Sequence, residues 1–116
     1  MIRQTNPDFM NGVPELLILN ELRNKEMYGY ELARAIRDGT AGMLNFSEGV
    51  IYPALHTLEI AGALKSRRKA VNGRSRVYYA LTADGSRRLK KLESSWTELT
   101  RAIRQILDRG ARGRAV

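Results

Sequence analysis

The 116-residue chain contains no cysteine and a single histidine, His56. Without cysteine it can form neither a disulfide framework nor a thiolate metal site or nucleophile. It also has no GxSxG sequence and no glycine-rich phosphate loop, and its carboxylates have no neighbouring residues of the kind that complete a metal site. We therefore predict that the chain is not an enzyme and that it carries neither a metal nor another cofactor.

Long apolar runs are also absent. No stretch of about 18 apolar residues occurs, and the opening residues MIRQTNPDFMNG contain no hydrophobic segment typical of a signal peptide. These absences predict a cytoplasmic location without membrane insertion.

Acidic residues are scarce relative to basic ones, with 12 Asp and Glu against 20 Lys and Arg and a formal net charge of +8. A charge of this sign favours polyanionic partners, and either a nucleic acid or an anionic membrane surface would fit. No acidic residue at all occurs between Ile60 and Ala83, so the positive charge is concentrated in one segment.

No internal repeat or long linker divides the chain. We predict a core at residues 13–82, a C-terminal helix at residues 83–109, and flexible ends at residues 1–12 and 110–116. The first helix is expected from about Pro14, which is tolerated in a first turn. A second helix is expected from about Gly29 to Gly39, where glycine favours a C-terminal stop.

A third helix is predicted after Ser47, which is a favourable N-cap, with Phe46 packing on Ile51 as a hydrophobic staple. Pro53 removes a backbone hydrogen bond and is expected to kink the helix. The apolar positions recur at helical spacing and define a buried arc formed by Ile51, Leu55, Leu58 and Gly62.

The opposite arc of this helix would face a partner, and it carries Gly49, Val50, Tyr52, Pro53, His56, Thr57 and Ile60. It contains no Arg, Lys, Asn or Gln, the residues that usually read guanine or adenine in the major groove. Tyr52, His56 and Thr57 could each make one hydrogen bond, and Val50 could contact a thymine methyl group. Base contacts should therefore be few, and DNA shape should contribute to recognition. The alternative for Tyr52 is a partly buried structural aromatic.

A basic hairpin follows, with Asn72-Gly73 at a tight turn. In the returning strand Val77, Tyr79 and Leu81 are expected to pack on the helices, whereas the alternate residues, including Tyr78, should face solvent. Six cations lie on the hairpin, where DNA phosphates could neutralise them: Lys65, Arg67, Arg68, Lys69, Arg74 and Arg76. The alternative is a solvated charge run that protects a sheet edge.

Three helices followed by a hairpin form the winged variant of the helix-turn-helix, in which the third helix enters the major groove of DNA. We therefore predict a mainly α-helical fold with a small β hairpin, that is, a winged helix-turn-helix plus a long C-terminal helix. Its partner would be double-stranded DNA.

The C-terminal helix, which Thr82 can cap, is longer than a small winged core can cover. Its apolar residues recur every three or four positions, as in a helix that packs on another helix. We predict a homodimer on a pseudo-palindromic operator. The predicted interface comprises Leu16, Leu19, Leu89, Leu92, Trp96, Leu99, Ile103 and Ile106. The alternative is that this stripe folds back on the first helix of the same chain.

The combined motifs MYGYELAR, EGxxYPALxxLE and YYxLTxxG, in this order and spacing, resemble the PadR family of bacterial transcriptional regulators, in its short-tailed branch. The resemblance implies a winged-helix dimer that represses an adjacent gene or operon until a ligand or stress signal relieves it. It places the wing near DNA, together with Tyr28, Ser47, Gly49, Val50, Tyr52 and Pro53. The chain departs from the family pattern at Val50, where Thr or Ser is common, and at Ile60, where a charged residue is common.

The single tryptophan, Trp96, can fill the dimer core or line a pocket for a flat apolar ligand. The resemblance implies that small aromatic effectors bind at such an interface, so Trp96 is a candidate ligand-binding residue. In the Arg-rich tail, Arg112 and Arg114 would add weak phosphate attraction.

Two other functions stay open: a nonspecific architectural protein that binds nucleic acid, and a protein-interaction module that uses the long helix.

Overall fold

A computed structural model describes residues 12–114, with side chains through residue 112. The first helix, α1, spans Val13–Glu21 with Pro14 in its first turn, close to the predicted start. Ile18 and Leu19 are fully buried in the core. Residues 1–11 of the flexible segment predicted at residues 1–12, and the last two residues, lie outside the described part of the chain.

A two-residue strand, β1 (Met27–Tyr28), precedes the second helix, α2 (Gly29–Gly39). The bounds of α2 agree with the prediction. The backbone amide of Tyr28 donates a hydrogen bond to the Glu31 carboxylate at 3.2 Å, which satisfies one of the amides at the helix start. The strand itself was not predicted, because two residues are too short to show an alternating pattern.

The third helix, α3 (Glu48–Ile60), runs without interruption through Pro53. Ser47 is at the N-cap position as predicted, but its side chain makes no capping hydrogen bond. Ile51, Leu55 and Leu58 are buried, which confirms the predicted arc. Gly62 is not part of that arc. It is exposed beyond the helix end with φ +83°, a backbone conformation that terminates helices and favours glycine.

The hairpin consists of β2 (Leu64–Val71) and β3 (Arg74–Leu81), and β1 pairs with the other edge of β3. Asn72 and Gly73 have φ values of +52° and +78°, as a two-residue type I′ turn requires, and the predicted turn is confirmed. The result is a three-stranded antiparallel sheet with the order β1-β3-β2.

The last helix, α4, spans Ala83–Arg114 and is five residues longer than predicted. The Thr82 hydroxyl accepts a hydrogen bond from the Gly85 amide at 3.0 Å and donates one to the Gly62 carbonyl at 2.6 Å. Thr82 therefore caps α4, as predicted, and also ties its start to the end of α3. The glycines and arginines after Arg109 were expected to be flexible, but residues 110–114 continue the helix.

Within residues 12–114, one hydrophobic core joins the four described helices to the inner side of the sheet. Leu19 and Leu89, predicted at a dimer interface, are 0 % and 4 % exposed within this core. That prediction was wrong for these two residues, because α4 packs its first turns on α1 of the same chain before it leaves the domain. The architecture is the predicted winged helix-turn-helix. Within residues 12–114, no helix is long and apolar enough to cross a membrane.

Candidate nucleic-acid interface

The exposed arc of α3 begins at its N-terminus. Val50 and Tyr52 are 39 % and 38 % exposed, and Gly49, Pro53, His56 and Thr57 are exposed as well. All the residues predicted on this arc therefore lie together on one surface. Ile60, at the C-terminal end of the helix, is 87 % exposed and extends the arc with an apolar side chain.

Tyr52 connects α3 with the start of α2. Its ring lies against Gly29 so closely that a Cβ atom built at Gly29 would be 2.8 Å from the ring and its hydroxyl oxygen. Gly29 is buried and directly follows Tyr28, the last residue of β1. This contact places Tyr52 beside the junction between β1 and α2. Tyr52 is thus both a partly buried aromatic and part of the exposed arc.

The side of the sheet that faces away from the helices is called here the outer sheet face. Residues directly opposite each other in an antiparallel sheet project to the same side, so the strand register assigns its members. The pairs Lys65–Ala80, Arg67–Tyr78, Lys69–Arg76 and Val71–Arg74 lie on it, together with Tyr28 opposite Tyr78.

Five of the six hairpin cations therefore share the outer sheet face. The sixth, Arg68, belongs to the other side of the hairpin, opposite Val77, and donates a hydrogen bond to the Ser75 hydroxyl at 3.3 Å. The sequence predicts the number of cations but does not separate Arg68 from the others, because that distinction depends on the register.

Aromatic rings hold two of these cations. The rings of Tyr28 and Tyr78 pack edge to face, with centroids 5.4 Å apart. The Arg76 guanidinium lies 4.4 Å from the Tyr28 centroid, and the Lys69 ammonium lies 4.4 Å from that of Tyr78. Such contacts are attractive because the face of an aromatic ring carries partial negative charge. Tyr78 is consequently 8 % exposed, and the prediction that it faces solvent was wrong.

An acidic residue that the sequence did not single out lies among the outer-face cations. Glu26 accepts two hydrogen bonds from Arg67, at 3.0 Å from Nε and 2.7 Å from Nη2, and one from Lys69 Nζ at 2.8 Å. These hydrogen bonds, from Arg67 first and then Lys69, lower the pKa of Glu26 from 4.5 to about 2. Glu26 raises the pKa of the Arg67 guanidinium in return.

The hairpin cations therefore differ in their partners within the described part of the chain. Arg67 and Lys69 are paired with Glu26, whereas the side chains of Lys65 and Arg74 make no hydrogen bond or ion pair with any residue in the range 12–112. Arg74 follows the turn and lies at the tip of the hairpin. The tip and the Lys65 end thus carry charge that solvent or a polyanion must compensate.

The residues in the described part of the chain do not form a metal-binding site. No cluster of three or more His, Cys, Asp or Glu side chains with the spacing of a metal site occurs among residues 12–112. His56 is exposed on α3 and does not belong to such a group.

A second surface lies on α4 beyond the winged core. Leu99, Ile103 and Ile106 are 40–57 % exposed, and Leu107 is 53 % exposed on the same side of the helix. Trp96 is partly buried next to a shallow cavity of about 200 Å³ lined by Val13, Leu16, Leu92 and Leu99. Leu99, Ile103 and Ile106, all predicted at the interface, form an apolar stripe that residues 12–112 leave exposed.

Comparison with known proteins assigns this combination of features to one family. The model of the transcriptional regulator PadR-like family matches residues 18–91, which include α2, α3 and the hairpin. The transcriptional regulator Rv3488 of Mycobacterium tuberculosis is 32 % identical over 97 residues, which cover 83 % of this chain and 87 % of that protein.

Solved structures show the same relationship. A PadR family transcription regulator from Clostridium difficile has a TM-score of 0.73 and 31 % identity, covering 83 % of this chain and 99 % of that one. A transcriptional regulator from Clostridium thermocellum has a TM-score of 0.79 and 28 % identity, covering 84 % and 96 %. The chain therefore belongs to the PadR-like family of transcriptional regulators, which are DNA-binding proteins and not enzymes.

Proposed function

We propose that the protein is a sequence-specific repressor that binds a pseudo-palindromic operator as a homodimer in the cytoplasm. The observation that supports this most directly is the contact of Tyr52, on the exposed arc of α3, with Gly29, which directly follows Tyr28 of the outer sheet face. A helix and an adjacent basic hairpin on one surface can occupy a major groove and the neighbouring phosphates together.

In this proposal α3 contributes few hydrogen bonds to bases, since its exposed arc offers only Tyr52, His56 and Thr57 as polar side chains. Val50, exposed beside them, provides an apolar contact for a thymine methyl group. The hairpin supplies affinity through phosphates and adds sequence preference through groove width. The remaining contacts come from the proposed residues Tyr28, Ser47, Gly49 and Pro53 and from Asn72 and Gly73 at the tip.

The proposed dimer uses the exposed part of α4. The helix has 32 residues and is therefore about 48 Å long, and its second half projects beyond the core. Burying Leu99, Ile103 and Ile106 against a second copy would remove an exposed apolar stripe from water. Leu16, Leu92 and Trp96 would border this interface, and the cavity beside Trp96 is where a flat aromatic effector would bind.

The test is fluorescence anisotropy of the purified full chain with DNA from upstream of its own gene and with a scrambled duplex of the same composition. Measurements at about 50 mM and 150 mM salt separate specific from counterion-driven binding. We expect the preference for the native duplex to persist at the higher salt. Equal and steeply salt-dependent binding to both duplexes would indicate a nonspecific architectural protein instead.

The effector is tested separately by titrating Trp96 fluorescence with planar cationic dyes and phenolic acids. We expect a saturable change in the emission of this single tryptophan. An unchanged spectrum with all of them would remove the ligand-binding role of Trp96 without affecting the DNA-binding proposal.

A further inference from the structure

Glu26 is placed where a bound phosphate would also find favourable partners. Its carboxylate receives a forked pair of hydrogen bonds from Arg67 and a third from Lys69, all between 2.7 and 3.0 Å. A forked guanidinium contact and an ammonium are the donors that recognise phosphate oxygens in proteins. The Glu26 carboxylate thus occupies two hydrogen-bond donors of Arg67 and one of Lys69 on the outer sheet face.

The contact joins parts of the chain that are far apart in sequence. Glu26 directly precedes β1, and its partners lie 41 and 43 residues later on β2, which is separated from β1 by β3. The Glu26 side chain is 23 % exposed, whereas Arg67 is 64 % exposed and Lys69 37 %. The cations are therefore accessible to solvent, and the Glu26 carboxylate compensates one of their two positive charges from within the protein.

We propose that Glu26 limits nonspecific DNA binding by occupying Arg67 and Lys69, which would otherwise contact phosphates along any duplex. This inference rests on the DNA-binding function proposed above and adds a residue that sets the ratio of specific to nonspecific affinity. The unpaired cations Lys65 and Arg74 then carry the phosphate contacts of the hairpin, while the α3 surface provides the preference among sequences.

The proposal predicts a change in salt dependence. The logarithm of the binding constant falls with the logarithm of salt concentration by about 0.9 for each phosphate contact. Release of one cation in Glu26→Gln should therefore multiply the ratio of affinities at 50 and 200 mM salt by about 3.5, and release of both by about 12. The affinity for a scrambled duplex should rise more than the affinity for the operator.

The matched control is Glu59→Gln. It removes the same charge close to the hairpin, but Glu59 accepts a hydrogen bond from the Ser66 hydroxyl and pairs with no cation among the described residues. Its salt slope should equal that of the wild type. A thermal unfolding curve for each variant establishes that the fold is retained, and Glu26→Ala repeats the test with a side chain that cannot accept a hydrogen bond.

A double-mutant comparison assigns the effect to Arg67. Arg67→Ala should change nonspecific binding little in the wild type, because Arg67 is already occupied, but should reverse most of the gain in the Glu26→Gln background. An unchanged salt slope in both Glu26 variants would overturn the proposal. Weaker binding of both variants at every salt concentration would also overturn it, since Glu26 would then position the cations for DNA.

Heparin separates this inference from the proposed function, because it is a polyanion without bases. If Glu26→Gln elutes from heparin at higher salt than the wild type and Glu59→Gln does not, Glu26 controls access of polyanions to the hairpin. That result would stand even if the wild type showed no preference for its own upstream DNA. A preference for that DNA together with unchanged heparin elution would overturn the inference about Glu26 alone.

Discussion

Gly29 and Gly85 are two positions where a single added methyl group would overlap a neighbour. At Gly85 the neighbour is the backbone carbonyl of Ala63, which cannot move without shifting the junction between α3 and β2. At Gly29 the neighbour is the end of the Tyr52 side chain, which can rotate away. The two substitutions should therefore have different consequences, one for stability and one for recognition.

We expect Gly85→Ala to lower the free energy of unfolding by about 2 kcal/mol or more, as overpacking against rigid backbone does. The matched control is Gly110→Ala on the same helix, where nothing lies within 4 Å of the added group. It should leave stability unchanged or raise it by about 0.5–1 kcal/mol through helix propensity. Thermal unfolding followed by circular dichroism measures both, and equal effects would contradict the close contact at Gly85.

Gly29→Ala should displace the Tyr52 ring at little cost to stability. Since Tyr52 belongs to the proposed DNA-reading surface, the preference for the operator over a scrambled duplex should fall while nonspecific affinity stays near that of the wild type. Anisotropy with the two duplexes measures this. An unchanged preference would mean that the position of Tyr52 does not contribute to sequence recognition.

Glu26 should titrate near pH 2 instead of near its ordinary value of 4.5, because Arg67 and Lys69 stabilise its ionised form. Its folded-state pKa is lowered, so its contribution to stability is complete above about pH 4.5 and is lost as the pH falls toward about 2. Carboxyl-carbon NMR of the wild type should show the low pKa, and Arg67→Ala should return it toward 4.5. A Glu26 titration near 4.5 in the wild type would contradict the contact.

At the scale of the elements, the hairpin separates cations by face. Arg74 lies on the outer sheet face without a partner in the described residues, whereas Arg68 lies on the other side and bonds to Ser75. Arg74→Ala should weaken binding uniformly across DNA sequences and reduce the salt slope by about 1. Arg68→Ala, which removes the same charge, should have the smaller effect. Equal slopes for the two variants would show that total charge matters and the strand register does not.

The helices could be predicted from the sequence because each has a strong local signal. Ile51, Leu55 and Leu58 recur at helical spacing, and the Asn72-Gly73 turn requires only two adjacent residues with positive φ. The PadR resemblance also rested on contiguous motifs. These features depend on residues close together in the chain, so periodicity and turn chemistry suffice to find them.

The features that escaped prediction depend on contacts between distant segments. The strand β1 exists because β3 offers an edge, and Tyr78 is buried because Tyr28 and Lys69 cover it. Glu26 could not be connected with Arg67 without the sheet order. Leu89 continues the spacing of the apolar stripe on α4, and only the packing of α4 on α1 shows that it and Leu19 belong to the core.

At the scale of the whole molecule, α4 makes the chain elongated, with extents of 66 × 29 × 22 Å. If its exposed stripe is the dimer interface, Ile103→Glu should produce monomers, because a charge would be buried against the partner helix. Ser94→Glu, which places the same charge on the opposite side of α4, should remain dimeric. Sedimentation velocity distinguishes the two. A wild-type monomer at micromolar concentration would contradict the proposed assembly.

The junction at Thr82 has a mechanical consequence. Only this residue separates the end of β3 from the start of α4, and its hydrogen bonds to Gly62 and Gly85 fasten both sides, so the hairpin and the long helix turn together. In the proposed dimer a small tilt of α4 therefore produces a large displacement at the far end of the helix. A tilt of about 10° over its ~48 Å moves the far end by ~8 Å, a quarter of the ~34 Å DNA repeat. A ligand that changes the angle between the two α4 helices of the dimer would move the hairpins out of register with successive DNA grooves. It would do so without contacting a hairpin or the DNA.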